Sequence, residues 1–92
     1  MTSSETIKKW LIAAAMKIDK KASNCPICMG EWIEFQYVGN VSTRLGYLDV
    51  WCDSCHNGVH VSRAIAPNTV EMLPFDTPRD VLRERIPKIN YI

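Results

Sequence analysis

The residues of this chain best suited to chemistry are four cysteines in two pairs. Each pair has the form C-x2-C, Cys25-Pro26-Ile27-Cys28 and Cys52-Asp53-Ser54-Cys55, and 23 residues separate them. A C-x2-C turn points both sulfur atoms to one side, so two such turns brought together offer four thiolates in a tetrahedron. The spacing predicts a site for one Zn²⁺ ion, with the ligands Cys25, Cys28, Cys52 and Cys55.

We predict that this zinc is structural and that the protein is not an enzyme. Four protein ligands leave no coordination position for water or substrate, which a catalytic zinc needs. The sequence also lacks a Ser/His/Asp order, a glycine-rich phosphate loop and a paired-carboxylate motif. Because the cysteine set is complete, we expect His56 and His60 to be surface imidazoles. Four carboxylates are expected at solvated positions of a half-exposed sheet: Glu31, Glu34, Asp49 and Asp53.

Three other uses of the cysteines fit parts of the pattern. Four thiolates also suit iron, as in a rubredoxin-like electron carrier. The segment from Cys52 to His56 matches the C-x-x-C-H motif of covalent haem attachment, but we expect no export signal, and the first pair would have no role. A thioredoxin-like redox role for the first pair lacks the βαβ context. Structural zinc accounts for all four residues.

An N-terminal amphipathic helix is predicted over residues 3–22. Thr2 and Glu5 fit a capping box at its start. One side of the helix is basic, and Ile12 and Met16 form a small apolar spot there, among charged residues. The opposite, buried stripe has helical spacing and consists of Ile7, Trp10, Leu11, Ala14, Ile18 and Ala22.

Residues 25–74 have the character of a small β-sheet. Short runs rich in β-branched and aromatic residues predict three or four antiparallel strands, at 32–38, 47–52, 58–65 and 69–73. Thr77 is a suitable N-cap before Pro78, so a short C-terminal helix is predicted to run to about Ile86. Helix and tail together occupy residues 77–92, and the apolar tail is expected to dock on the body.

Two C-x2-C turns flanking strands resemble the zinc-ribbon family over about residues 25–65. The resemblance implies a structural four-cysteine zinc and a small antiparallel sheet, and it is nearly silent on function. Ribbon knuckles often place Gly directly after the second cysteine of each pair. Here Met29 and His56 take those places, and the glycines follow later at Gly30 and Gly58.

Size and composition predict one small α+β zinc-bound domain. The chain has 92 residues, of which 47% are apolar and 23% charged, and its formal net charge is +1. A domain of this size has a small hydrophobic core, so a structural metal ion would add to its stability. The longest apolar run has seven residues, at 10–16, whereas a membrane span needs about 20. We therefore predict a cytoplasmic protein without a transmembrane helix.

Charge favours a protein partner over nucleic acid. Residues 1–24 carry five lysines against two acids, whereas residues 25–70 carry two arginines against four acids, and a four-thiolate zinc adds about −2 to that middle part. Nucleic-acid binding through strand aromatics and basic residues stays the alternative, and no membrane or small-molecule substrate is expected. The candidate partner-binding residues are Ile12, Met16, Trp32, Trp51, Arg44 and Arg63.

Overall fold

The computed structural model describes residues 4–92. Its elements, in chain order, are α1 (Ser4–Ile18), β1 (Ile33–Gly39), β2 (Leu45–Cys52), β3 (Asn57–Ile65), β4 (Met72–Pro74), α2 (Arg79–Arg85) and β5 (Asn90–Tyr91). A helix, a sheet and a short second helix confirm the predicted α+β class. The capping box that involves Thr2 lies outside the described residues. No helix in the described range is long and apolar enough to cross a membrane.

The sheet has five strands in the order β4-β1-β2-β3-β5 and is mixed. The three central strands form the predicted antiparallel meander, but β4 is parallel to β1 and β5 is parallel to β3. The antiparallel pairing expected for the run 69–73 is therefore wrong. The chain leaves β3, packs Ala66 and Val70 against the core, and crosses to the far side of β1, where β4 runs in the direction of β1.

The core lies between α1 and one face of the central strands. Trp10 is fully buried at its centre. Alternate residues of each strand point to this side, as the two-residue period of a β-strand requires. The buried partners of Trp10 in the helix and the sheet include Ala13, Ala14, Ile33, Tyr37, Leu48, Val50, Cys52 and Val59.

Helix α1 ends at Ile18, four residues before the predicted end. Lys20 adopts a left-handed conformation with φ of 59°. The Lys21 N–H donates to the Met16 carbonyl at 2.8 Å and the Lys20 N–H to the Lys17 carbonyl at 3.0 Å. These two bonds form a Schellman motif, which ends a helix whatever the hydrophobic pattern beyond it. Leu11, predicted in the buried stripe, is on the exposed side.

The C-terminal residues cover part of the opposite sheet face. Arg85 donates to the Gln36 side chain and to the Phe35 carbonyl, both at 2.9 Å. The tail docks through Ile89, which is buried. The predicted Thr77 cap is wrong: the N-cap residue is Pro78 without a side-chain cap, because the Thr77 hydroxyl donates to the Pro74 carbonyl instead, at 2.6 Å.

Candidate metal centre

The four cysteine sulfur atoms meet at one end of the sheet. All four Sγ atoms lie within 4.8 Å of one another. The Sγ atoms of Cys25 and Cys55 are 3.6 Å apart, as are those of Cys28 and Cys52. Thiolates at about 2.3 Å from a tetrahedral ion are about 3.8 Å from each other, whereas a disulfide needs about 2.05 Å. The cluster therefore fits a metal ion and not two disulfides.

The first knuckle, residues 25–29, is a tight turn between α1 and β1. The Met29 N–H donates to the Cys25 carbonyl at 3.0 Å. The backbone N–H groups of Ile27 and Cys28 point at the Cys25 sulfur, at 3.3 and 3.4 Å. N–H groups directed at a sulfur favour its charged form, which is the form that binds metal. The turn therefore orients Cys25 and partly offsets its burial, which on balance raises the pKa of the Cys25 thiol.

The second knuckle, residues 52–56, connects β2 to β3 and repeats this turn. The His56 N–H donates to the Cys52 carbonyl at 2.8 Å. A further bond links the second knuckle to the segment that follows the first one, because the Asp53 N–H donates to the Trp32 carbonyl at 2.9 Å. Two distant parts of the sequence are thus held with their sulfur atoms facing each other.

Met29 and His56 take the backbone conformation that glycine takes in many knuckles. Their φ angles are 64° and 60°, in the left-handed region. Side chains with a Cβ adopt this region at a cost of about 1–2 kcal/mol. The absence of glycine at these two positions therefore changes the strain of each knuckle and leaves its shape intact.

The thiols differ in how readily they lose a proton. Burial raises the pKa of Cys52 to about 12. Burial also acts on Cys55, but hydrogen bonds from Asn57 and from Cys25 and Cys52 outweigh it and lower its pKa to about 7. In the metal-free protein Cys55 therefore loses its proton more readily than Cys52, and a metal ion must displace the proton of Cys52.

A four-thiolate cluster of this shape suits Zn²⁺ or iron, both of which accept tetrahedral sulfur coordination. Two of the cysteines, Cys25 and Cys52, are buried in the hydrophobic core. With four protein ligands and two of them inside the core, a bound ion would join the knuckles to the packing of the domain. The metal-binding arrangement is what the spacing of the cysteines predicted.

Among the described residues neither histidine belongs to the group of possible metal ligands, and both are exposed. His60 pairs its Nδ1 atom with Asp49 Oδ1 at 2.8 Å, and the Tyr91 hydroxyl donates to the same oxygen at 3.2 Å. Asp49 is only 4% exposed, so the expectation of a solvated carboxylate is wrong there. A single carboxylate inside the apolar run 47–51 was the available signal for a buried, paired group.

The structure does not bring the candidate partner-binding residues together. Ile12 and Met16 are exposed as predicted. Trp32 is exposed as well, whereas Trp51 is 1% exposed and offers no surface to a partner. The Arg85 guanidinium lies 5.3 Å from the centre of the Trp51 ring.

The two candidate arginines differ in their partners. The Arg44 side chain donates to the carbonyls of Pro67 and Val70. Arg63 is exposed at the other end of β2 from the cysteines.

Comparisons of this chain with protein-family models, with curated proteins and with solved structures find no significant match. The similarity to zinc ribbons therefore rests on the spacing of the cysteines and on the geometry of their sulfur atoms, and the chain is assigned to no family.

Proposed function

We propose that the protein holds one structural Zn²⁺ ion through its four cysteines and serves as a small non-enzymatic protein-interaction module. The observation that carries the proposal is an exposed apolar area around the first knuckle. We call it the knuckle surface, and it consists of Ile12, Pro26, Ile27, Met29 and Trp32.

The large side chains of the knuckle surface are well exposed. Its four large side chains are 60%, 51%, 68% and 62% exposed at Ile12, Ile27, Met29 and Trp32. Ile12, Pro26 and Met29 share one shallow depression of about 220 Å³ with Lys9. A methyl group on Gly30 would lie 2.9 Å from Cδ1 of Trp32 and 3.5 Å from the Cys28 sulfur, so the indole lies close to the metal ligand.

Exposed apolar patches of this kind mark interaction sites in small soluble domains. Ile27 and Met29 stand in the knuckle turn itself, so their positions depend on the metal that would hold the turn. Lys9 borders the depression and adds a positive charge to an apolar surface. A partner segment with apolar side chains and a flanking carboxylate complements this surface in shape and charge.

A nucleic-acid partner has weaker support. Of the strand aromatics that would stack on bases, Tyr37 and Trp51 are buried. Arg44, one of the expected phosphate contacts, is engaged with loop carbonyls. The lysines of α1 lie on a different element from the aromatics, so no basic stripe with interleaved rings is formed.

The metal is tested first. We expect native mass spectrometry of the purified protein to find one zinc per chain, and circular dichroism to report unfolding when a chelator removes it. Iron in the native protein would support the electron-carrier alternative. A metal-free chain that keeps its folded spectrum would contradict the structural role.

The interaction is tested with the zinc-loaded protein as bait in a lysate of the source cells. Met29→Ser and Trp32→Ser remove apolar contacts from the knuckle surface, and Val41→Ser is the matched control because Val41 is exposed in the β1–β2 turn. We expect a protein retained by the wild type and by the control and lost by both knuckle variants. Equal retention by all four baits would overturn the proposal.

A further inference from the structure

A second surface, independent of the knuckle surface, lies at the opposite end of the sheet. Here a groove of about 490 Å³ is bounded by both ends of the β1–β2 turn, by β3 and by the residue after β4. Its volume is in the range of small-molecule sites. The C-terminal residues do not cover this end, because β5 pairs with the start of β3, at Asn57 and Gly58. Its lining includes Thr43, Leu45, Tyr47, Ser62, Arg63 and Phe75.

The groove contains one unpaired cation. The Arg63 side chain takes part in none of the ion pairs or side-chain hydrogen bonds that the structure gives for residues 4–92. The two arginines that pack on the rest of the sheet are both engaged: Arg44 binds loop carbonyls, and Arg85 binds Gln36 and the Phe35 carbonyl. A guanidinium left free beside a concave surface is a ready partner for a phosphate or carboxylate.

The remaining walls suit a flat ring. Phe75 and Leu45 are exposed, and Tyr47 lies between the groove and His60, with the two ring centres 5.1 Å apart. Aromatic side chains bind planar ligands by stacking. Burial, and after it the Asp49 carboxylate, raises the pKa of Tyr47, so its hydroxyl is a neutral hydrogen-bond donor at neutral pH. The hydroxyls of Thr43 and Ser62 add short-range polar contacts.

We infer that this groove binds an aromatic anion, with the ring against Tyr47 and Phe75 and the phosphate or carboxylate on Arg63. Charge complementarity decides the class, since Arg63 is the one charged residue among those that line the groove. Neither a neutral ring nor a bare anion uses both features. A free nucleotide and a nucleotide unit of a single strand share this chemistry.

The test is a set of titrations of the zinc-loaded protein, followed by NMR shifts of the backbone amides. The probes are adenosine monophosphate, adenosine, inorganic phosphate and a hexanucleotide of adenosine. We expect the monophosphate to saturate shifts at 43–47, 62–63 and 75, and to bind at least about fivefold more tightly than adenosine or phosphate. A hexanucleotide that binds at the same residues more than sixfold more tightly than the monophosphate would identify a single strand as the source, and equal binding would identify the free nucleotide.

Matched variants distinguish binding in the groove from non-specific attraction of an anion to positive charge. Arg63→Ala should weaken monophosphate binding by about tenfold, because an ion-paired hydrogen bond is lost. Phe75→Ala should weaken it by about fivefold through lost stacking. Arg83→Ala removes an exposed arginine of α2 that does not line the groove, and should leave binding unchanged.

Two results would overturn the inference. One is the absence of saturable shifts at these residues with the monophosphate and the hexanucleotide alike. The other is an equal loss of binding in Arg63→Ala and Arg83→Ala, which would show only non-specific attraction to positive charge. Neither result affects the knuckle surface, because none of its residues lines this groove.

Discussion

The two cysteine knuckles share one backbone turn and differ in nearly everything around it. In each, the residue after the second cysteine donates its N–H to the carbonyl of the first and has a φ near 60°. The first knuckle joins α1 to β1 through loops and carries the exposed apolar side chains of Ile27 and Met29. The second knuckle joins β2 directly to β3 and carries Asp53, Ser54 and His56, which are polar and exposed.

The supports of the knuckles differ as well. The second knuckle is tied to the C-terminal tail, because the Asn90 N–H donates to the His56 carbonyl at 2.8 Å. Among the described residues, no backbone hydrogen bond joins the first knuckle to the tail, and the side chains of Ile27 and Met29 are exposed. The comparison indicates that the turn geometry serves the metal in both knuckles, and that the side chains between the ligands are free to serve another role. We propose binding for the first knuckle and anchoring for the second.

The largest effect is expected from removing a ligand. Cys52→Ser and Cys28→Ser should each lose most of the roughly 10–16 kcal/mol that a structural zinc contributes. Cys52→Ser should be the more damaging, since Cys52 is buried in the core and Cys28 is exposed. Zinc content by mass spectrometry and folded fraction by circular dichroism measure both variants. A metal-free but cooperatively folded Cys52→Ser variant would contradict the role of the metal.

The next largest effect is expected from weakening the C-terminal tail that is bonded to the second knuckle. Ile89→Ala should lower the free energy of unfolding by about 2–3 kcal/mol, because a buried Ile leaves a cavity when truncated. Ile92→Ala is the control: Ile89 is 7% exposed and Ile92 37%. Urea denaturation of the zinc-loaded chains compares the two. Similar losses in both variants would mean that the tail does not anchor the second knuckle through Ile89.

A smaller effect separates the shape of a knuckle from its surface. Met29→Gly and His56→Gly each relieve left-handed strain, and after the entropy of glycine is subtracted we expect a gain of about 0.5–1 kcal/mol in either variant. Urea midpoints measure this gain. In the capture experiment only Met29→Gly should lose the partner, because only Met29 belongs to the knuckle surface. Loss of the partner in both variants would mean that the turn itself, and not the side chain, is recognised.

The smallest expected effect is a loss of stability at alkaline pH, which we expect from the contact of Tyr91 in the C-terminal tail with Asp49. Burial, and after it the Asp49 carboxylate, raises the pKa of Tyr91 from 10.0 to about 12. A raised pKa means that the neutral phenol is favoured in the folded state, so its stabilisation is complete below about pH 10 and is lost as the pH rises toward 12. The difference in urea midpoint between wild type and Tyr91→Phe, measured from pH 8 to pH 12, should shrink over that interval. A constant difference would contradict the Tyr91–Asp49 contact.

The sequence alone predicted the four metal-binding cysteines, because each C-x2-C turn holds its two sulfur atoms on one side whatever surrounds the turn. It also predicted α1 and the three central strands. Apolar residues recur about every 3.6 residues in a helix and every second residue in a strand, so nearby residues are enough to reveal each element. The exposure of Ile12 follows from the same helical period. These are properties of local segments, and each segment carries its own pattern.

Only the tertiary structure decided which surfaces are covered. The pattern of β2 places Trp51 and Asp49 on the face opposite α1, but whether that face is open depends on the path of the C-terminal residues, which cover it with Arg85, Ile89 and Tyr91. Likewise, the sequence does not distinguish Arg44 from Arg63. In the fold, the Arg44 guanidinium donates to the carbonyls of Pro67 and Val70, whereas the Arg63 side chain has no such partner among the described residues. Contacts between segments far apart in the chain depend on the route of the loops, and local periodicity does not encode that route.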